Sequence, residues 1–130
     1  MDAAAITADV AQAYQRYLSA FNANDLAAIN ALIRYPLAYI GEGKVELTER
    51  FPFDPAELKR IKQWHTTVDA ETEVVAVSET KAHVVLRSAK RIRQDGSLIE
   101  TVSAFYAFAK TDQRWKIFAA SALTVPAPAP

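Results

Sequence analysis

The sequence predicts a cone-shaped α+β domain, with three helices packed in the concave face of a strongly curved mixed or antiparallel sheet, in the order α-α-β-β-α-β-β-β-β. Three observations carry this reading. Residues 15–32, QRYLSAFNANDLAAINAL, join two amphipathic helices through a short Asn/Asp-rich break. A third helix opens at Asp54-Pro55 with a full set of N-terminal signals. From Thr66 onward the chain is a series of long β-rich segments divided by turn residues.

The first helix spans about Ala4 to Phe21, because Ile6, Val10, Tyr14, Tyr17, Leu18 and Phe21 recur at spacings of three and four. Asn22 and Asn24 interrupt it, and Asn24 or Asp25 caps the next helix. That second helix carries Leu26, Ile29, Leu32 and Ile33 on one face and stops before Pro36, since the residue preceding proline disfavours helical geometry. Leu37–Ile40 and Lys44–Thr48 form a hairpin around Gly41-Glu42-Gly43. In the third helix Asp54 is the N-cap, Pro55 takes the first helical position and Glu57 closes a capping box, with Leu58, Ile61 and Trp64 on the buried side. Strands follow over Thr72–Val77, His83–Arg93, Leu98–Lys110 and Trp115–Leu123. Asp95-Gly96 is the hairpin turn between the second and third of these, because both positions tolerate positive φ. One domain, 1–125, is expected, followed by an extended Pro/Ala-rich tail, 126–130.

The 130-residue length suits one domain that buries roughly two-thirds of its unfolded surface. Cysteine is absent, which excludes disulfides and thiolate chemistry. Fifteen basic and fifteen acidic residues cancel, so no basic footprint for nucleic acid exists. The start lacks a basic segment followed by an apolar core, and no apolar run reaches membrane-spanning length. The expectation is a cytoplasmic protein with no membrane or nucleic-acid partner.

A two-residue turn at Asp95-Gly96 sets Ile92 opposite Ile99, Ser88 opposite Ser103 and Leu86 opposite Phe105 on one face. The other face then pairs Arg91 with Glu100, Ala89 with Val102 and Val85 with Tyr106. Opposite charges across strands place Arg91 and Glu100 in an exposed setting. Val85, Val102, Tyr106 and Phe108 make that outer face too apolar for a solvated sheet. A homodimer through the outer face is the expected cover.

Three helices, an Asn-Asp break and a β-rich remainder resemble the nuclear transport factor 2-like superfamily over about Ala5 to Leu123. The closest local similarity is to ketosteroid isomerases, in Gln15, Arg16, Tyr17, Asn22, Ala23, Asp25 and Leu26. SnoaL-type polyketide cyclases and dehydratases share the fold. Isomerases of this kind use a carboxylate base with a tyrosine and a protonated aspartate as donors to the developing enolate. The resemblance carries the tyrosine onto Tyr17. It carries the base onto Gly41 and the second donor onto Ser103 or, with a gap, Phe105. Neither carboxylate exists here, so ketosteroid isomerase chemistry is not expected. Binding of a small apolar or aromatic molecule in the cone is, with isomerase, cyclase or dehydratase chemistry as what the resemblance implies. The alternative is a non-catalytic dimerisation or protein-interaction module.

The candidate catalytic residues are Tyr17, as a donor to a ligand carbonyl, and His65, as a base that titrates near neutrality. Tyr14, Phe21, Tyr39, Trp64, Leu86, Ser103, Phe105 and Trp115 are the candidate ligand-binding residues, converging between sheet and helices. Equally, these aromatics could fill the interior completely. Two histidines without helical spacing or a carboxylate partner make no metal motif, and no cofactor-binding loop is present. Glu42, Glu46 and Glu49 stand near the displaced base position, where solvated edge charges are the plainer reading.

Overall fold

The computed structural model describes residues 1–129. The elements are α1 (Ala3–Asn22), α2 (Leu26–Ala31), β1 (Ile33–Ile40), β2 (Val45–Thr48), α3 (Pro55–Lys62), β3 (Thr66–Val77), β4 (Lys81–Ile92), β5 (Leu98–Thr111) and β6 (Arg114–Pro126). Their order is the one expected. The six strands form one mixed sheet in the order β2-β1-β6-β5-β4-β3, with β1 parallel to β6 and every other pair antiparallel.

The expected shape is corrected. The sheet is not strongly curved, and three helices do not fill a cone. Its edge strands, β2 and β3, lie at opposite ends of an open ladder. Strands β5 and β6 stay paired along their length with one irregularity, between Ala107 and Phe108, while β4 shifts register against both β3 and β5 between Leu86 and Ala89. Only α1 lies broadly on the sheet, burying Val10, Ala13, Tyr14, Tyr17 and Ala20 at the expected spacings.

Local sequence sets the helix ends. Asp25 caps α2 by accepting from the Ala28 N–H at 3.0 Å, and Asp54 caps α3 by accepting from Glu57 N–H at 3.2 Å. Asn24 supplies the left-handed turn before α2, at φ 57°. The second helix is shorter than its periodicity predicts. It ends at Ala31, and the buried Ile33 opens β1, opposite Ile117 of β6. The Ile117 N–H donates to the Leu32 carbonyl at 2.9 Å, so docking on β6 draws these residues out of the helix. Pro36 lies in β1 where its pairing with β6 shifts between Ile33 and Ala38, since proline has no ladder donor. Ile61 is 65 % exposed rather than buried in α3. Lys59 instead fastens that helix, donating from Nζ to the Phe21 and Asn22 carbonyls and to Asn24 Oδ1 at 2.7–2.9 Å. The two backbone carbonyls stand at the C-terminal end of α1, where a cation suits the helix dipole. Strand β6 continues through Pro126, and the Ala127 N–H donates to the Ile99 carbonyl, so the tail begins tied to the sheet. Pro130 lies outside the described residues.

The faces of β5 are the reverse of those expected. Arg91 pairs with Glu100 and Ala89 with Val102 as predicted, but a shift beside the turn pairs Ile92 with Leu98 rather than Ile99. A register shift between Ala89 and Leu86 then sets Leu86 opposite Ala104, Val85 opposite Phe105 and Val84 opposite Tyr106. A one-residue slip moves side chains to the other face. On β4 the slip brings Leu86, Val84 and Ala82 onto the inward face with Ala89. On β5 the alternation is unbroken, but the set Val102, Ala104, Tyr106 and Phe108 turns toward the helices, and Phe105 points out, 51 % exposed. Ser103 Oγ donates to the Arg87 carbonyl at this irregularity, at 2.8 Å. Arg91 and Glu100 lie inside rather than in solvent, Glu100 being 6 % exposed.

The inward face divides into two regions. One is filled by Val10, Tyr14, Val84, Phe108, Trp115 and Ile117. The other is paved by smaller residues, with Leu86, Ala89, Val102 and Ala104 buried and Ala122 beside them. That difference in side-chain volume positions the candidate site.

Candidate functional site

Over the small-residue region lies a cavity of about 370 Å³. Its sheet wall includes Ala89, Val102, Ala120 and Ala122, and its opposite wall includes Tyr17, Phe21 and Trp64. Phe51 and Phe53, between β2 and α3, close a third side. These aromatics support one another edge to face. Tyr17 and Phe51 rings are 6.3 Å apart, Phe51 and Phe53 5.8 Å, and Tyr39 and Phe53 5.1 Å. The volume falls within the range of small-molecule pockets, and the lining is mostly apolar with a few polar tips.

Those tips fall into two groups. Tyr17, Tyr39 and Tyr106 supply phenols. Burial pushes the Tyr17 hydroxyl well above its ordinary pKa, and the neighbouring Tyr106 and Tyr39 add to this, while Arg91 acts in the opposite sense. Burial likewise raises Tyr39 and Tyr106, with Arg91 again opposing. All three are therefore neutral donors near neutral pH. The Tyr17 hydroxyl has no hydrogen-bond partner among the described residues.

The second group is ionic. Lys62 Nζ donates to both Glu100 oxygens, at 2.9 and 2.7 Å, and Arg91 Nη1 donates to Glu100 Oε2 at 2.7 Å. Burial opposes ionisation of Glu100, but hydrogen bonds from Lys62 and Arg91 outweigh it and hold the carboxyl below its usual range. Arg91 also stacks on Trp64, its guanidinium carbon 4.3 Å from the ring centroid. The Trp64 indole N–H donates to Thr67 Oγ1 at 3.1 Å, which fixes the ring.

Five of the ten residues singled out from sequence line this cavity: Tyr17, Phe21, Tyr39, Trp64 and Leu86. The other five do not, each for an identifiable reason. Tyr14 and Trp115 belong to the filled region, 1 % and 7 % exposed. The Tyr14 hydroxyl is buried beside the Tyr106 ring, with ring centroids 4.9 Å apart, and burial raises its pKa. Ser103 and Phe105 lie on the far face because they alternate with the inward Val102, Ala104 and Tyr106 of β5. His65 is exposed and lines a separate shallow groove with Arg93, Gln94 and Asp95, so it does not share a cavity with Tyr17. Sequence reasoning missed Lys62, Arg91, Glu100 and Tyr106. The Arg91–Glu100 pairing was legible in the hairpin register, whereas the arrival of Lys62 from α3 was not.

Among the described residues, no three His, Asp or Glu side chains gather to hold a metal ion, and no helix is long and apolar enough to cross a membrane.

The family model for NTF2-like proteins designated DUF6841 matches residues 55–124, more than half of the chain. The chain belongs to this NTF2-like family. The matched span contains α3 and β3–β5 and most of β6, and hence Lys62, Arg91 and Glu100. No curated protein matches. Solved structures agree on the NTF2-like fold. A conserved protein from Planctomyces limnophilus superposes with TM-score 0.68 at 17 % identity, covering 95 % of this chain and 98 % of its own. An NTF2-like protein of unknown function from Shewanella oneidensis gives TM-score 0.66 at 22 % identity, covering 89 % and 97 %. A ketosteroid isomerase-like protein from Erwinia carotovora atroseptica gives 0.63 at 19 % identity, covering 93 % and 97 %. At these identities the likeness concerns the fold alone.

Proposed function

We propose that this NTF2-like protein binds a small apolar or aromatic molecule in the cavity between α1, α3 and the sheet. The supporting observation is the 370 Å³ cavity itself, left where alanines replace bulky residues and bordered by the unpartnered Tyr17 hydroxyl. A carbonyl-bearing ligand gives Tyr17 a partner, in the polarising role that an isomerase, cyclase or dehydratase requires. His65 has no part in this reading, because it faces another groove. Glu100 is a poor base, since its anion is held by two cations.

Calorimetric titration with 2-acetylnaphthalene, a neutral aromatic ketone, tests the reading. Ala122→Phe places a ring on the cavity floor and is expected to weaken binding by at least about tenfold with the circular dichroism spectrum retained. Equal binding by a folded Ala122→Phe variant would move the ligand elsewhere.

A second reading concerns the outer sheet face, where Phe105, Leu123 and Val125 are 51–55 % exposed. Large exposed apolar groups on one face suit a partner, and a second copy covers such a face with one self-complementary patch. Phe105→Glu is then expected to convert a dimer into a species of 14.3 kDa in sedimentation equilibrium. A wild-type chain that sediments at 14.3 kDa at high concentration removes this reading.

A further inference from the structure

We infer that the cavity selects an organic monocarboxylate, an aromatic or apolar body carrying one anionic head, bound at Arg91 and Lys62. This rests on the cavity being a ligand site and specifies the class of ligand.

The charges decide it. Lys62 and Arg91 line the cavity, and among the described residues the only carboxylate in contact with them is Glu100, which is not on the lining. Two cations and one anion leave one positive charge in a region mostly shielded from water, where the Arg91 and Glu100 side chains are 15 % and 8 % exposed. An uncompensated buried charge is costly, and a bound anion relieves it. Among the described residues, the only other charged side chain on the lining is Glu42, exposed on the turn between β1 and β2.

Hydrogen-bond capacity points the same way. Arg91 Nη1 is the one guanidinium nitrogen with a partner among the described residues, and its Nε is fully enclosed with none. Lys62 donates twice to Glu100 and retains a third proton. Charge-assisted bonds to a carboxylate are the strongest use of such donors. Tyr17, Tyr39 and Tyr106, whose hydroxyls all sense the Arg91 charge, are further donors on the same lining. One residual charge suits a monoanion better than a phosphate dianion. The apolar remainder of the lining, including Phe21, Phe51 and Trp64, receives the body of the ligand.

The test compares 2-naphthoate with 2-acetylnaphthalene, its neutral isostere, by calorimetry on the full chain at one pH and ionic strength. Naphthoate is expected to bind at least about tenfold more tightly. Arg91→Met, which retains the Lys62–Glu100 pair, is expected to abolish that preference while still binding the ketone. Glu100→Gln, which frees both cations, is expected to increase it, also read as a larger thermal shift on adding naphthoate. Equal binding of the two probes by the wild type overturns the carboxylate inference and leaves the cavity reading intact. Binding of neither overturns both. Retention of the naphthoate preference in a folded Arg91→Met variant overturns the assignment of the anion to this site.

Discussion

Glu100→Gln is expected to lower the stability of the NTF2-like domain by about 3 kcal/mol at neutral pH, read from urea unfolding midpoints. The substitution keeps the volume and removes the charge. It leaves Arg91 mostly buried, beside an amide in place of a carboxylate. Removing one partner of a buried pair costs far more than the pair adds over an apolar replacement, because the remaining charge is stranded. Lys62, whose side chain is 29 % exposed, can turn toward water, which limits the loss. The same carboxyl gives the wild type an acid dependence. Its pKa in the folded chain lies below the ordinary 4.5. The folded state therefore favours the ionised form. That stabilisation is fully present above the unfolded value and is lost as pH falls through the folded one. Wild-type stability should thus decline below about pH 4.5 with a component that Glu100→Gln lacks. Parallel pH profiles for the two proteins would contradict the assignment of the ionised pair to the folded state.

Phe108→Ala is expected to cost about 3–5 kcal/mol in the same measurement. Phe108 is 1 % exposed and meets Tyr14 edge to face, ring centroids 6.3 Å apart. Both lie in the region filled by α1, Val84 and Ile117. The lost ring removes its transfer free energy and leaves a void that neighbours on a paired strand cannot close. Tyr14 would lose the edge-to-face contact. The sequence reading puts Phe108 on the outer face, where truncation would change stability little, so this variant separates the two face assignments. A loss below about 1 kcal/mol would contradict the inward placement.

The helix caps and strand order could be read from local signals because each depends on residues within a few positions. Asp54 and Pro55 act within one helical turn, and Asp25 across three residues, whereas the Glu57 carboxylate pairs with Arg60 instead of closing a capping box. The periodic face of α1 was equally legible, since Val10, Tyr14 and Tyr17 meet the core at helical spacing. The register of β4 on β5 was legible at Arg91–Glu100 and Ala89–Val102, but not beside the turn, where Ile92 pairs with Leu98 rather than Ile99. Past Ala89 it was not legible either, because the shift toward Leu86 leaves no plain local mark. The faces of β5 were misread separately: the strand alternates as expected, but alternation alone does not say which set, Val102, Tyr106 and Phe108 or Ser103 and Phe105, meets the helices.

By itself the sequence determined three helices, six strands in order, their caps and turns, and the neutral composition with its lack of cysteine. These depend on local geometry and on counting. Tertiary structure alone decided that the sheet opens rather than curving into a cone, that Arg91 and Glu100 turn inward, and that Lys62 joins them from α3. It also decided that Ala89, Ala120 and Ala122 share one wall, leaving a cavity in place of a filled interior. The physical reason is separation along the chain. Lys62 and Glu100 are 38 residues apart, and an alanine records its small volume in the sequence but not which neighbours fail to fill the space above it.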